Sequence, residues 1–156
     1  LAINLLYEEE RELEFLQESS SNKRPHTNIR ASLRIMGDDF DVKRITDVLE
    51  VCPSETWNKG DFIRKTEKSR TYTAWMYNTE PIESLNIKTS IKQIEEVFRQ
   101  KADKIVILQN IYDLDISIDF VIVIENGETP AIYFEPDFIR FAAEIGAKFD
   151  IDTYIN

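Results

Sequence analysis

The sequence predicts an α+β fold: a mainly antiparallel sheet with helices packed on one of its sides. Three observations carry this. Residues 28–36 and 116–124 alternate along the chain, as half-buried strands do. Other segments place apolar residues at helical spacing between capping and stopping signals. Strands and helices do not alternate strictly, which argues against a doubly wound parallel sheet. The order allows a division into two ferredoxin-like halves.

The elements follow in order. Residues 2–18 read as a helix, with Ile3, Leu6, Leu13 and Leu16 at helical spacing. Ser19, Ser20, Ser21 and Asn22 stop it, and Lys23, Arg24, Pro25 and His26 continue as linker. The chain thus divides into an N-terminal helical arm with a polar linker, 1–26, and a single α+β domain, 27–156. In the first strand Ile29, Ala31, Leu33 and Ile35 face one way and Arg30, Ser32 and Arg34 the other. Asp41 can cap a helix running to Val51 whose stripe ends on Cys52, and Pro53 stops it. Residues 54–61 read as a loop. Residues 71–77 form a second strand, with Thr73, Trp75 and Tyr77 on one face. Residues 81–88 read as irregular.

Ser90 is the expected cap of a helix over 91–100. Residues 101–112 are the ambiguous stretch: Ile105 to Leu108 would suit a strand, but Asp103 as cap and Ile105, Leu108 and Tyr112 at helical spacing favour a helix. Ile116, Ile118, Phe120, Ile122 and Ile124 mark the strongest strand, expected to be central. Asn126-Gly127 signals a hairpin, with residues 129–134 as the antiparallel return. Pro136 suits a first helical position, Phe138, Phe141, Ala142 and Ile145 make a helix face, and Gly146 closes it. Residues 149–155 form a last strand, with Asp150, Asp152 and Tyr154 on one face.

Composition limits the function classes. A chain of 156 residues, 42% hydrophobic and 31% charged, can fill a core and solvate its surface. One cysteine permits no internal disulfide, and one cysteine with one histidine disfavours an ordinary zinc cage. Four glycines are too few for a rich phosphate-cradling loop. No cofactor and no metal is therefore expected. No apolar run is long enough to cross a bilayer. Residues 1–7 are apolar, but Glu8, Glu9 and Glu10 follow directly and no basic segment precedes them, unlike a secretory signal. A cytoplasmic location is expected.

The formal charge is −10. Residues 22–70 carry a net +3, whereas residues 71–156 carry a net −8. Such an acidic field repels nucleic acid and anionic membranes and attracts basic partners.

Residues 31–37 and 41–51, then Pro53 and the loop Trp57-Asn58-Lys59-Gly60-Asp61, form one part of a pattern. Trp75 and the ending 146–154, with Phe149-Asp150-Ile151-Asp152, form the rest. Over about residues 28–155 this pattern resembles the bacterial family called domain of unknown function 4279. The resemblance implies an α+β fold and a bacterial source. It carries over no activity and no catalytic residue.

Two sites compete. Trp57, Lys59, Asp61 and Trp75 could line a small-ligand pocket, with indole surface, cation and carboxylate meeting one polar ligand. The bland alternative is core tryptophans and an ordinary turn. Asp113, Asp115, Asp119, Asp150 and Asp152 could instead meet a basic protein. Asp38, Asp39 and Asp41 read as a turn and helix cap rather than a cation site. The basic run Lys59, Arg64, Lys65, Lys68 and Arg70 interleaves with Phe62, but the global charge opposes nucleic-acid binding. Cys52 reads as a small buried apolar residue, not a nucleophile. The expectation is a non-catalytic binding protein that recognises a basic partner through an acidic surface, concretely a toxin-neutralising immunity protein. A small-ligand binder or enzyme around Trp57 is the alternative, and self-association through the first helix stays open.

Overall fold

The computed structural model describes residues 26–156. The helix expected over 2–18 and most of the linker lie outside the described residues. Strand β1 (Asn28–Gly37) leads into helix α1 (Val42–Leu49). Strands β2 (Glu55–Trp57), β3 (Thr73–Asn78) and β4 (Ile82–Glu83) follow. Helix α2 (Lys88–Phe98) runs through a 3₁₀ turn (Arg99–Lys101) into α3 (Ala102–Tyr112). Strand β5 (Asp115–Ile124), helix α4 (Pro136–Glu144) and strand β6 (Ala147–Ile155) complete the chain.

The strands form one sheet in the order β2-β3-β1-β5-β6, with β4 also on β1. Every pairing is antiparallel except β5 with β6. The fold is thus α+β with a mostly antiparallel sheet. The sheet is continuous across the two halves of the chain, because β1 pairs with β5. Strand β5 is internal, as its apolar run requires: Ile116, Ile118, Phe120 and Ile122 are fully buried. They share the core with Ile29, Ala31, Leu33 and Ile35 of β1 and the apolar stripes of the four described α-helices.

Periodicity placed most elements, and the departures have local causes. Helix α1 stops at Leu49 because Glu50 turns left-handed (φ 55°) and donates its N–H to Thr46 O. Cys52, two residues further on and next to Pro53, lies beyond the end of α1 and is exposed rather than buried. Asp41 does cap α1, accepting the Lys43 N–H at 2.9 Å. Ser90 is not a cap. Helix α2 starts earlier, where Asn86 Oδ1 accepts the Lys88 N–H, and Ser90 is buried inside it with its hydroxyl donating to Ile29 O. Residues 101–112 are helical from Ala102, and Asp103 sits in the first turn rather than at the cap. The expected loop 54–61 contains β2, and the irregular 81–88 contains β4.

The largest correction concerns residues 129–134. The Asn126-Gly127 turn forms, with both residues at positive φ (52° and 71°) and Glu128 N–H donating to Glu125 O at 2.9 Å. No hairpin follows. One edge of β5 is taken by β1 and the other by β6, so no edge remains for a returning strand. The segment leaves the sheet instead, and Ala131 makes an isolated parallel bridge with Asn86. Phe134 then stacks on Phe149 with ring centroids 4.4 Å apart. Helix α4 forms the crossover that a parallel β5–β6 pair needs.

Candidate functional site

The described helices cover one face of the sheet, and alternate residues of each strand stand on the opposite face, called open because no described helix lies on it. Strand register sets them in rows. Glu55, Met76, Arg34, Ser117 and Lys148 form one row from β2 to β6. Asn78, Ser32, Asp119 and Asp150 form the next, and Arg30, Val121 and Asp152 the one after. Four of the five predicted partner-binding acids therefore belong to this side of β5 and β6. Asp113 does not: it is the left-handed cap that ends α3 (φ 52°).

The acids that meet here are largely paired. Arg34 Nη2 lies 2.7 Å from Asp119 Oδ2 and 3.6 Å from Asp150 Oδ2. The Ser117 hydroxyl donates to the other Asp119 oxygen. Asp119 is 13% exposed, whereas the Asp150 side chain is 55% exposed. Lys148 pairs with Asp115 at 2.7 Å. The face is thus ionic at its centre and anionic toward β6, where Asp150 and Asp152 reach solvent. Arg34 is the organising residue that sequence reasoning missed. Alternation put Arg30 and Arg34 on the non-core face of β1, but which acids they meet depends on register. Among the described residues, the Nε atoms of Arg30 and Arg34 and the Trp57 Nε1 are buried without a hydrogen-bond partner. All three belong to residues of the open face.

The other predicted site is not assembled. Trp75 pairs across from Thr56, so Trp57, one residue on, faces away from it. Trp75 is fully buried, donates Nε1–H to Thr46 Oγ1 at 3.0 Å and packs edge-on against Phe98. Trp57 stands on the open face, beneath the Arg70 guanidinium (4.0 Å to the ring centroid) and against Tyr72. Lys59 pairs with Asp38, and its backbone N–H donates to Thr73 Oγ1. Asp61 Oδ2 accepts the Asn58 N–H at 2.7 Å, which makes this an ordinary turn. Two tryptophans on opposite sides of a sheet cannot line one pocket.

The basic run 59–70 is a projecting hairpin arm. Ile63 N–H donates to Lys68 O, Phe62 bridges Ser69, and the Phe62 ring is 81% exposed. A separate cleft of about 570 Å³ opens between α2 and α4, with Lys88, Lys92, Ile91, Tyr133, Glu135 and Phe138 among its walls. His26 lies 3.3 Å from Glu128. Among the described residues no group of three or more His, Cys, Asp or Glu side chains is placed to hold a metal ion, and no helix is long and apolar enough to cross a membrane.

A family model described as domain of unknown function (DUF4279) matches residues 27–156. No curated protein and no solved structure matches the chain.

Proposed function

Because the chain belongs to the DUF4279 family, whose function is unknown, its own surface must supply a functional reading, and we propose that it is a non-catalytic binding protein for a basic protein partner. The contact surface in this reading is the β5–β6 side of the open face. Asp150 and Asp152 make the contacts, while Asp115 and Asp119 are held by Lys148 and Arg34. The supporting observation is that Asp152 and, despite its longer contact with Arg34, Asp150 reach solvent beside the Arg34–Asp119 and Lys148–Asp115 pairs. A cation arriving there meets carboxylates whose positions are fixed by the sheet, which favours fast, steered association. Neutralisation of a basic toxin in the cytoplasm is the concrete form of the proposal, with self-association through the helix expected over 2–18 as a separate part.

The experiment is affinity capture with the full chain, identification of the bound protein, and a salt series. The expected partner is basic, and its affinity falls steeply between about 0.1 M and about 1 M salt, as the screening length drops from about 10 Å to about 3 Å. The double variant Asp150→Lys/Asp152→Lys loses binding while keeping its thermal transition. Salt-independent binding, or an affinity indifferent to the double variant, sinks the proposal.

A further inference from the structure

We infer that the outer edge of β6 takes up an extended basic segment of the partner as an additional strand. This rests on the basic-partner reading above and deepens it, by naming the docking mode.

The sheet has two ends, and they are built differently. At one end β2 is three residues long, follows Pro53, and runs on into the 58–70 arm. Short length and proline are the usual protections against edge pairing. At the other end β6 is nine residues long. It pairs with β5 at every position from Ala147 to Ile155 without a bulge, and it contains no proline or glycine. Among the described residues nothing pairs with its outer side. A strand in this state offers a row of unpaired N–H and C=O groups, which is the template used in strand addition. Its exposed apolar side chains are also unlike a protected edge: Ile151 is 37% exposed, Tyr154 57% and Ile155 77%.

Charge selects the occupant. Asp150 and Asp152 stand on one side of β6, and Ile151, Thr153 and Ile155 on the other. A second copy pairing antiparallel about Ile151, the register that uses the whole length of β6, would set Asp150 directly against Asp152 of the other chain, twice, and like charges directly opposite are destabilising. Lys148, on the same side, is held by Asp115, and a strand with Lys or Arg opposite Asp150 and Asp152 sets cations against both aspartates and turns its intervening apolar residues toward Ile151 and Ile155. The occupant is therefore a basic, alternating segment of a different protein.

The test uses the isotope-labelled full chain and three synthetic probes of β6's length: a peptide alternating Lys and Val, the same peptide with alternate backbone amides N-methylated, and a Glu-Val counterpart. Strand addition predicts that the Lys-Val peptide slows hydrogen exchange of amides within residues 148–155, and that methylation weakens it by about tenfold or more, because main-chain hydrogen bonds are lost. The Glu-Val peptide does not bind. Equal binding of the methylated and unmethylated Lys peptides overturns strand addition but leaves a charge-driven basic partner standing. Exchange protection by the Glu-Val peptide to the same degree overturns the charge selection. Failure of the Lys-Val peptide to protect these amides also overturns the inference, and the salt series with the captured protein then decides separately whether the basic-partner reading falls with it.

Discussion

Trp57 and Trp75 sit on neighbouring strands yet on opposite faces of the sheet, because Trp75 is paired with Thr56 rather than with Trp57. One indole is a core element tied to α1, and the other lies on the open face beneath Arg70. The two residues have unrelated structural roles.

The difference is measurable. Trp75→Phe removes the hydrogen bond to Thr46 and leaves space beside Phe98, at a cost of about 1.5–3 kcal/mol. Trp57→Phe costs under about 1 kcal/mol, as for most substitutions outside the core. Urea unfolding of the two variants checks the order. The variant that keeps only Trp75 emits further to the blue and resists acrylamide quenching. Equal quenching of both variants would contradict the opposite-face arrangement.

Arg34 holds Asp119 in a nearly buried position on the open face. Arg34→Met leaves that carboxylate without its cation and costs about 1.5–3 kcal/mol. Asp119→Asn in the same chain recovers part of the loss, for a coupling energy of about 1–2 kcal/mol in a double-mutant cycle. A coupling near zero would mean that Arg34 contributes only as exposed surface.

Glu50 ends α1, and its carboxylate accepts a hydrogen bond from Lys104 Nζ of α3 at 3.1 Å. That bond, then the Lys104 charge, then Lys101, lower its pKa from the ordinary 4.5. A lowered folded-state pKa contributes stability that is present above about 4.5 and is lost as pH falls through the folded value. The contribution is small because the pair is exposed. Lys104→Met moves the Glu50 titration back up toward its ordinary value, seen by NMR of the side-chain carboxyl. An unchanged titration would show that the α1–α3 ion pair does not persist in solution.

Asp113 separates the structural and functional uses of an aspartate. It occupies a left-handed cap (φ 52°), a conformation glycine adopts at no steric cost. Asp113→Gly is expected to raise stability by about 0.5–1 kcal/mol in thermal unfolding. Affinity for the captured basic partner stays unchanged, because Asp113 lies off the open face. A loss of affinity matching that of Asp152→Lys would return Asp113 to the contact surface.

Much of the local structure was legible. The alternation of Ile29 to Ile35 and of Ile116 to Ile124 is a direct imprint of half-buried strands. Asp41 and Gly146 announce helix ends through chemistry that acts over a few residues. Legibility failed where the answer depended on a distant segment. A turn forms at Asn126-Gly127, but the hairpin expected from it does not, because β6 occupies the free edge of β5. Ser90 looked like a cap and serves a burial contact with β1 instead. Of the acids singled out in the sequence, Asp115, Asp119, Asp150 and Asp152 do share one side of β5 and β6, and Arg34 at their centre was not foreseen.

By itself the chain of residues determined most of the strands and helices, which side of each of those is apolar, and that the whole carries excess negative charge. Those properties follow from steric preference, capping and water's rejection of apolar surface, all of which act locally or on totals. Only the tertiary structure decided that the two tryptophans part company, that Arg34 neutralises Asp119, and that among the described residues nothing pairs with the outer side of β6. Side-chain period along a strand is two, so a shift of one residue in pairing exchanges the faces, and pairing between distant strands is fixed only when the core closes.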